Sequence, residues 1–149
     1  MNEFFQMLKK DHAEVKGILG KLEETKEGEL KKREELFLKL RTELVPHMKA
    51  EEIVFYPPLM AKKESRKDAL EGVEEHHVSD MVLKELETTQ KGELWGAKMS
   101  VFSELVEHHI KDEESKVFKS AEKALGPDDF EKIMKQFQQE KQKIKKDLK

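Results

Sequence analysis

The sequence predicts an all-α fold, an up-down-up-down antiparallel four-helix bundle with an additional short C-terminal helix. Three observations predict it. Only four prolines and seven glycines interrupt 149 residues. Glu, Lys and Leu, which lose little rotamer freedom in a helix, dominate over β-branched residues. Charged residues reach 41% against 36% apolar, a balance that suits long helices with one buried stripe each and a charged exterior. The length suits one domain over 1–149, with a core bundle over about 2–125 and a C-terminal helix over about 128–147.

The first helix is expected from about Asn2 to Glu24, with Phe5, Leu8, Val15, Leu19 and Leu22 on one face. Thr25 to Gly28 turn the chain. A second helix should run to a stop at Pro57-Pro58, with Phe37, Leu40, Leu44, Val54 and Phe55 inward and a kink or restart at Pro46. Ser65 is the expected N-cap of a third helix that continues to about Gln90. Gly92 and Gly96 bracket the next connection, with Trp95 in that loop as a cap over the bundle end. The fourth helix carries Phe102, Leu105, Val106 and Val117 and ends near Gly126-Pro127. The fifth starts at Asp128, where Glu131 completes a capping-box spacing, and offers Phe130, Ile133, Met134 and Phe137 to the bundle's outside or end. Its Lys-rich tail after Glu140 reads as a solvated helix end. Short connections make neighbouring helices antiparallel.

The net charge is -3 with both signs mixed, so no basic field points to nucleic acid. The absence of cysteine excludes disulfides, thiolate metal sites and a cysteine nucleophile. The N-terminus lacks an apolar signal-like stretch, and no run is long enough to span a bilayer. A soluble cytoplasmic protein with no nucleic-acid or membrane partner is expected.

Four of the six histidines continue apolar stripes. They are His12 between Leu8 and Val15, His47 after Leu44, His76 ahead of Leu83 and Leu86, and His109 after Val106. Glu51 and Glu113 sit on the same dry faces. A lone inward histidine is usually a satisfied core residue, but an inward carboxylate needs a cation or several donors. Four imidazoles and two carboxylates offer enough nitrogen and oxygen donors for two divalent ions about 3.5–4 Å apart, bridged by carboxylate. His47 to Glu51 and His109 to Glu113 both read His-x-x-x-Glu, which places both side chains one turn apart on one helix face.

The chain also repeats. A shift of 62 brings His47, Glu51, Glu52 and Tyr56 onto His109, Glu113, Glu114 and Phe118. A shift of 64 brings Asp11 and His12 onto Glu75 and His76. Two helix pairs thus build a pseudo-twofold dimetal site. In each histidine doublet the member among apolar neighbours is taken as inward. His77 and His108 then face solvent or help to orient an inward ligand. Tyr56 is read as a core residue with its hydroxyl satisfied, the alternative being a hydrogen bond near the metals.

Asp11-His12, His47-x-x-x-Glu51-Glu52 followed by Phe55-Tyr56-Pro57, Glu75-His76-His77, and His109-x-x-x-Glu113-Glu114 together resemble the hemerythrin-like HHE cation-binding family, from His12 to about Phe118. The resemblance implies a bundle with two iron ions. His12, His47, His76 and His109 would be terminal ligands and Glu51 and Glu113 bridges. Zinc or manganese suits the same donors. Oxygen-carrying hemerythrins have His-x-x-x-His on the third helix, and this chain has Gly72 four residues before His76. Ferritin-like bundles use Glu-x-x-His and more carboxylates. The functions implied are binding or sensing of dioxygen or a related small molecule, redox turnover of peroxide or nitric oxide, and iron storage or a structural metal site.

Overall fold

The computed structural model describes residues 2–148, and among these there are helices and no strand. α1 spans Glu3–Glu24. Asn2 starts it by accepting hydrogen bonds from the Phe4 and Phe5 amides at 2.8 and 3.2 Å, which satisfies two of the four free amides at the helix start. α2 begins as Leu30–Ala50, passes through a widened π turn, Glu51–Phe55, and closes as Tyr56–Met60. α3 is Arg66–Thr88. α4 repeats the design of α2, with Glu93–Asp112, a π turn at Glu113–Val117, and Phe118–Ala124. α5 is Pro127–Asp147.

Several local expectations are corrected. Pro46 lies inside uninterrupted helix, and the departure from α geometry falls later, at Glu51–Phe55. Pro57 and Pro58 do not stop α2. The widened turn has already interrupted the i→i−4 ladder, so amides missing there cost little, and the helix closes at Met60. Ser65 occupies the N-cap position without capping. Its hydroxyl donates to the Leu59 carbonyl at 2.7 Å and ties α3 to the end of α2. At the start of α5 Asp129, not Glu131, accepts from the Gly126 amide at 2.9 Å.

Trp95 is in the first turn of α4, not in a loop. It is fully buried and donates from Nε1 to the Leu86 carbonyl at 3.0 Å. Arg33 explains the packing at this end. Its guanidinium lies 5.3 Å from the Trp95 ring and donates to Thr25 Oγ1 and to the Lys91 and Gly92 carbonyls at 2.9, 3.0 and 2.8 Å. One buried cation therefore joins the α1–α2 and α3–α4 connections. Gly96 makes room for it, because a β-carbon there would stand 3.3 Å from Arg33 Nη2.

α5 is not short: it has 21 residues and packs along α2 and α1 through Phe130, Ile133 and Phe137. Its basic end is not merely solvated. Lys141 and Lys145 reach Asp11 and Glu43 at 2.8 and 3.0 Å.

Two apolar clusters fill the interior. One holds Phe4, Phe5, Leu8, Phe55, Phe118 and Phe137. The other holds Leu19, Leu22, Phe37, Leu40, Leu83 and Trp95. Along α1 the change from one to the other falls between Leu8 and Val15, at His12. Each large side chain removed from water contributes about 1.5–3 kcal/mol. Two such clusters can carry a polar layer between them. No helix among the described residues is long and apolar enough to cross a membrane.

Candidate metal centre

The polar layer collects all six inward residues named from the sequence. α1 supplies His12, α2 His47 and Glu51, α3 His76, and α4 His109 and Glu113, and all six are buried. Their donor atoms form two groups, each within 4.8 Å: His12, His47, Glu51 and Glu113, and Glu51, His76, His109 and Glu113. Glu51 and Glu113 belong to both.

Each imidazole turns Nε2 inward. Nε2 of His12 lies 3.2 Å from Glu113, that of His47 3.3 Å and that of His76 3.4 Å from Glu51, and that of His109 3.4 Å from Glu113. Each Nδ1 is held from behind by a carboxylate. Glu114 pairs with His12 at 2.7 Å, Asp11 with His47 at 2.9 Å, Glu52 with His76 at 3.0 Å and Glu75 with His109 at 2.7 Å. A neutral imidazole donating from Nδ1 leaves its Nε2 lone pair free. All four carboxylates sit beside a donor residue in sequence, as Asp11-His12, Glu51-Glu52, Glu75-His76 and Glu113-Glu114. All four lie within the sequence motifs, where nothing marks the role each takes. Their pairing across helices arises only in the fold.

The interior fits a cation. Glu51 Oε1 and Oε2, Glu113 Oε1 and His47 Nε2 are buried with no hydrogen-bond partner among the described residues. The Nε2 atoms of His76 and His109 stand 3.0 Å apart, a distance at which two bare lone pairs repel unless a proton or a metal lies beside them. Buried unpaired acceptors cost several kcal/mol, so a divalent ion or protons must compensate them.

Electrostatics point the same way. Burial alone would lower His47, but the charge of Glu51 and the hydrogen bond to Asp11 push it up to about 10. Burial also opposes protonation of His109, and the carboxylates of Glu113 and Glu75 push it up to about 10. Burial would raise Glu113, yet its contacts with His109 and His12 hold it well below the ordinary carboxylate value. The layer is a sink for positive charge.

Tyr56 breaks the twofold pattern. The π turn opened by Glu51 accommodates an extra residue, and the Tyr56 amide donates to the Glu51 carbonyl. The Phe118 amide does the same with Glu113. An aromatic residue five positions beyond each carboxylate thereby joins the bundle interior. On one side it is the phenol of Tyr56, fully buried, whose hydroxyl donates to Glu113 and lies 3.3 Å from His109 Nε2. Burial, then the charges of Glu113 and Glu51, raise this phenol well above its ordinary value, so it stays protonated. The ring packs over Gly72, where a β-carbon would approach its Cζ and Oη to 3.1 Å. Tyr56 thus takes the space that a side chain at position 72 would need.

A cavity of about 10 Å³ adjoins the four imidazoles and is otherwise lined by Val15, Leu44, Met48, Ser79, Val106 and Ile110. That is the lower limit of the room needed by one water molecule. His77 is exposed. His108 is 66% exposed, pairs with Asp112 at 3.1 Å and lies 3.7 Å from Glu75. Neither joins the buried layer.

A helical bundle with a buried layer of histidine and glutamate donors defines a class of cation-binding protein. The chain belongs to the hemerythrin HHE cation-binding domain family, whose model matches residues 3–121. Its fold is similar to the crystal structure of a hemerythrin HHE cation binding domain-containing protein from Mycobacterium kansasii. The TM-score is 0.76 and the identity 23%, over 93% of this chain and 87% of that one. No protein of curated function matches the sequence.

Proposed function

We propose that the protein is a non-haem dinuclear metal protein, with iron as its metal, that binds or senses dioxygen or a related small molecule. One observation carries this reading: two donor groups share both buried carboxylates, and each has two imidazole Nε2 atoms turned inward. His12 and His47 would hold one ion and His76 and His109 the other, with Glu51 and Glu113 bridging. Bound iron would supply a redox-active centre that takes a small oxygen or nitrogen ligand. The chain's own residues do the rest. Asp11, Glu52, Glu75 and Glu114 fix the imidazole tautomers, the apolar wall excludes bulk water, and the cavity limits the guest's size. The same reading takes the chain as one cytoplasmic domain, its first four helices antiparallel in up-down-up-down order.

Tyr56 favours a second reading, turnover of peroxide or nitric oxide. Its hydroxyl donates to Glu113 and lies beside His109, so a polar hydrogen is held inside the layer that would carry the turnover. Optical spectra of iron-loaded protein with and without oxygen, paired with peroxide-consumption assays, separate the two. A reversible oxygen-dependent band without turnover supports binding. Rapid peroxide loss, abolished in Glu51→Ala, supports the enzyme. A colourless inert protein sinks both.

A further inference from the structure

The two halves of the layer share one design but differ in what stands behind it. Asp11 and Glu75 correspond in the repeat, and each holds the Nδ1 of one histidine, His47 and His109 respectively. Behind Glu75 stands the exposed imidazole of His108, 3.7 Å away. Behind Asp11 stands α5, which lies beyond the residues matched by the family model. Lys141 Nζ donates to both Asp11 oxygens at 2.8 Å. Phe137, four residues earlier on the same face, is fully buried and meets the His47 ring edge-on with centroids 5.6 Å apart.

We propose that Lys141 is a positioning residue for the metal centre, clamping the Asp11 carboxylate so that His47 keeps its Nε2 turned toward the position it shares with His12. The proposal rests on the dinuclear reading for its metal readout and on geometry alone for its orientation readout. A carboxylate with one hydrogen bond to an imidazole can rotate about its side-chain torsions. Two charge-assisted bonds to one ammonium remove that freedom. The ammonium also compensates Asp11, which is largely withdrawn from water. Burial would raise its pKa, and His47 and Lys141 hold it below the ordinary value. Phe137 blocks the alternative of a tilted His47 ring. The clamp acts on one half only, so its loss should affect one metal position and spare the other.

The test uses the full chain with Zn(II), which is diamagnetic and leaves imidazole protons visible by NMR. Lys141→Met should weaken one of two zinc equivalents by about tenfold, the lower end of the range for partners behind a metal ligand. It should also speed solvent exchange of the His47 Nδ1 proton, while His109 is unchanged. Lys141→Arg should restore both. Lys145→Met is the control, because it removes the other ion pair anchoring α5, to Glu43, without touching the layer. Equal effects from Lys145→Met would reduce Lys141 to a helix anchor and overturn the proposal, as would unchanged zinc binding and exchange in Lys141→Met. Should Lys141→Met fail to fold, Lys141→Gln, one atom shorter and without the charge but still polar, is read by the same criteria. A wild type that takes up neither zinc nor Fe(II) would refute the dinuclear reading. The His47 proton exchange in metal-free protein would then decide the clamp separately.

Discussion

Gly72→Ala measures how tightly the phenol is fitted into the metal layer. The new β-carbon would lie 3.1 Å from Tyr56 Cζ and Oη and 3.2 Å from Cε1, against about 3.5–4.0 Å for relaxed carbon contacts. The ring has little freedom to retreat. It stacks on Phe55 at 5.6 Å, meets His76 at 5.3 Å, and its hydroxyl is held by Glu113. Overpacking of this kind costs about 1–3 kcal/mol. Alanine in a helix interior returns about 1 kcal/mol relative to glycine. The net expectation is a loss of about 0–2 kcal/mol. Gly17→Ala supplies the reference, since a β-carbon there meets nothing within 4 Å and should gain about 1 kcal/mol. Urea unfolding of both variants, metal-free and loaded, gives the difference, and the optical spectrum of the iron form reports displacement of Tyr56. Equal stabilisation by the two alanines with an unchanged spectrum would refute the claim that Tyr56 fills the space beside Gly72.

Three further outcomes are expected. In metal-free protein His47 and His109 are raised from 6.5 to about 10, so their contribution to stability is full below pH 6.5 and is lost as pH rises toward 10. Urea midpoints should fall between pH 6.5 and 9.5, and zinc loading at pH 7.5 should release protons to a dye; a rising midpoint would contradict this. Glu52→Gln frees His76 Nδ1 from its charged partner and should weaken metal binding by about 10–100-fold, read by chelator competition, with helicity unchanged. Arg33→Met leaves the Thr25, Lys91 and Gly92 acceptors without their shared donor and should cost about 2–4 kcal/mol in denaturant unfolding. Metal stoichiometry should not change.

The helices and the six inward donors were legible because period and chemistry coincide. His12, His47, His76 and His109 continue stripes of Leu, Val and Phe, and Glu51 and Glu113 follow one turn later. The choice of His76 and His109 over their neighbours follows the same logic and agrees with burial. What period alone does not reveal is the π turn. A strict 3.6-residue count puts Phe55 in line with Glu51, whereas the widened turn also brings Tyr56 into the layer. That register change is also why Pro57 and Pro58 failed to end the helix. The carboxylates behind the imidazoles were visible as repeated neighbours of the donors, but their partners lie on other helices. Lys141 had no local signal, since an amphipathic Lys-rich helix end looks the same whether it is solvated or docked.

Metal content tests the central claim most directly. Protein reconstituted anaerobically with Fe(II), freed of excess metal and assayed for metal and protein together, should carry two iron ions per chain, and Glu51→Ala should carry fewer. Less than one iron per chain in the wild type would contradict the dinuclear centre.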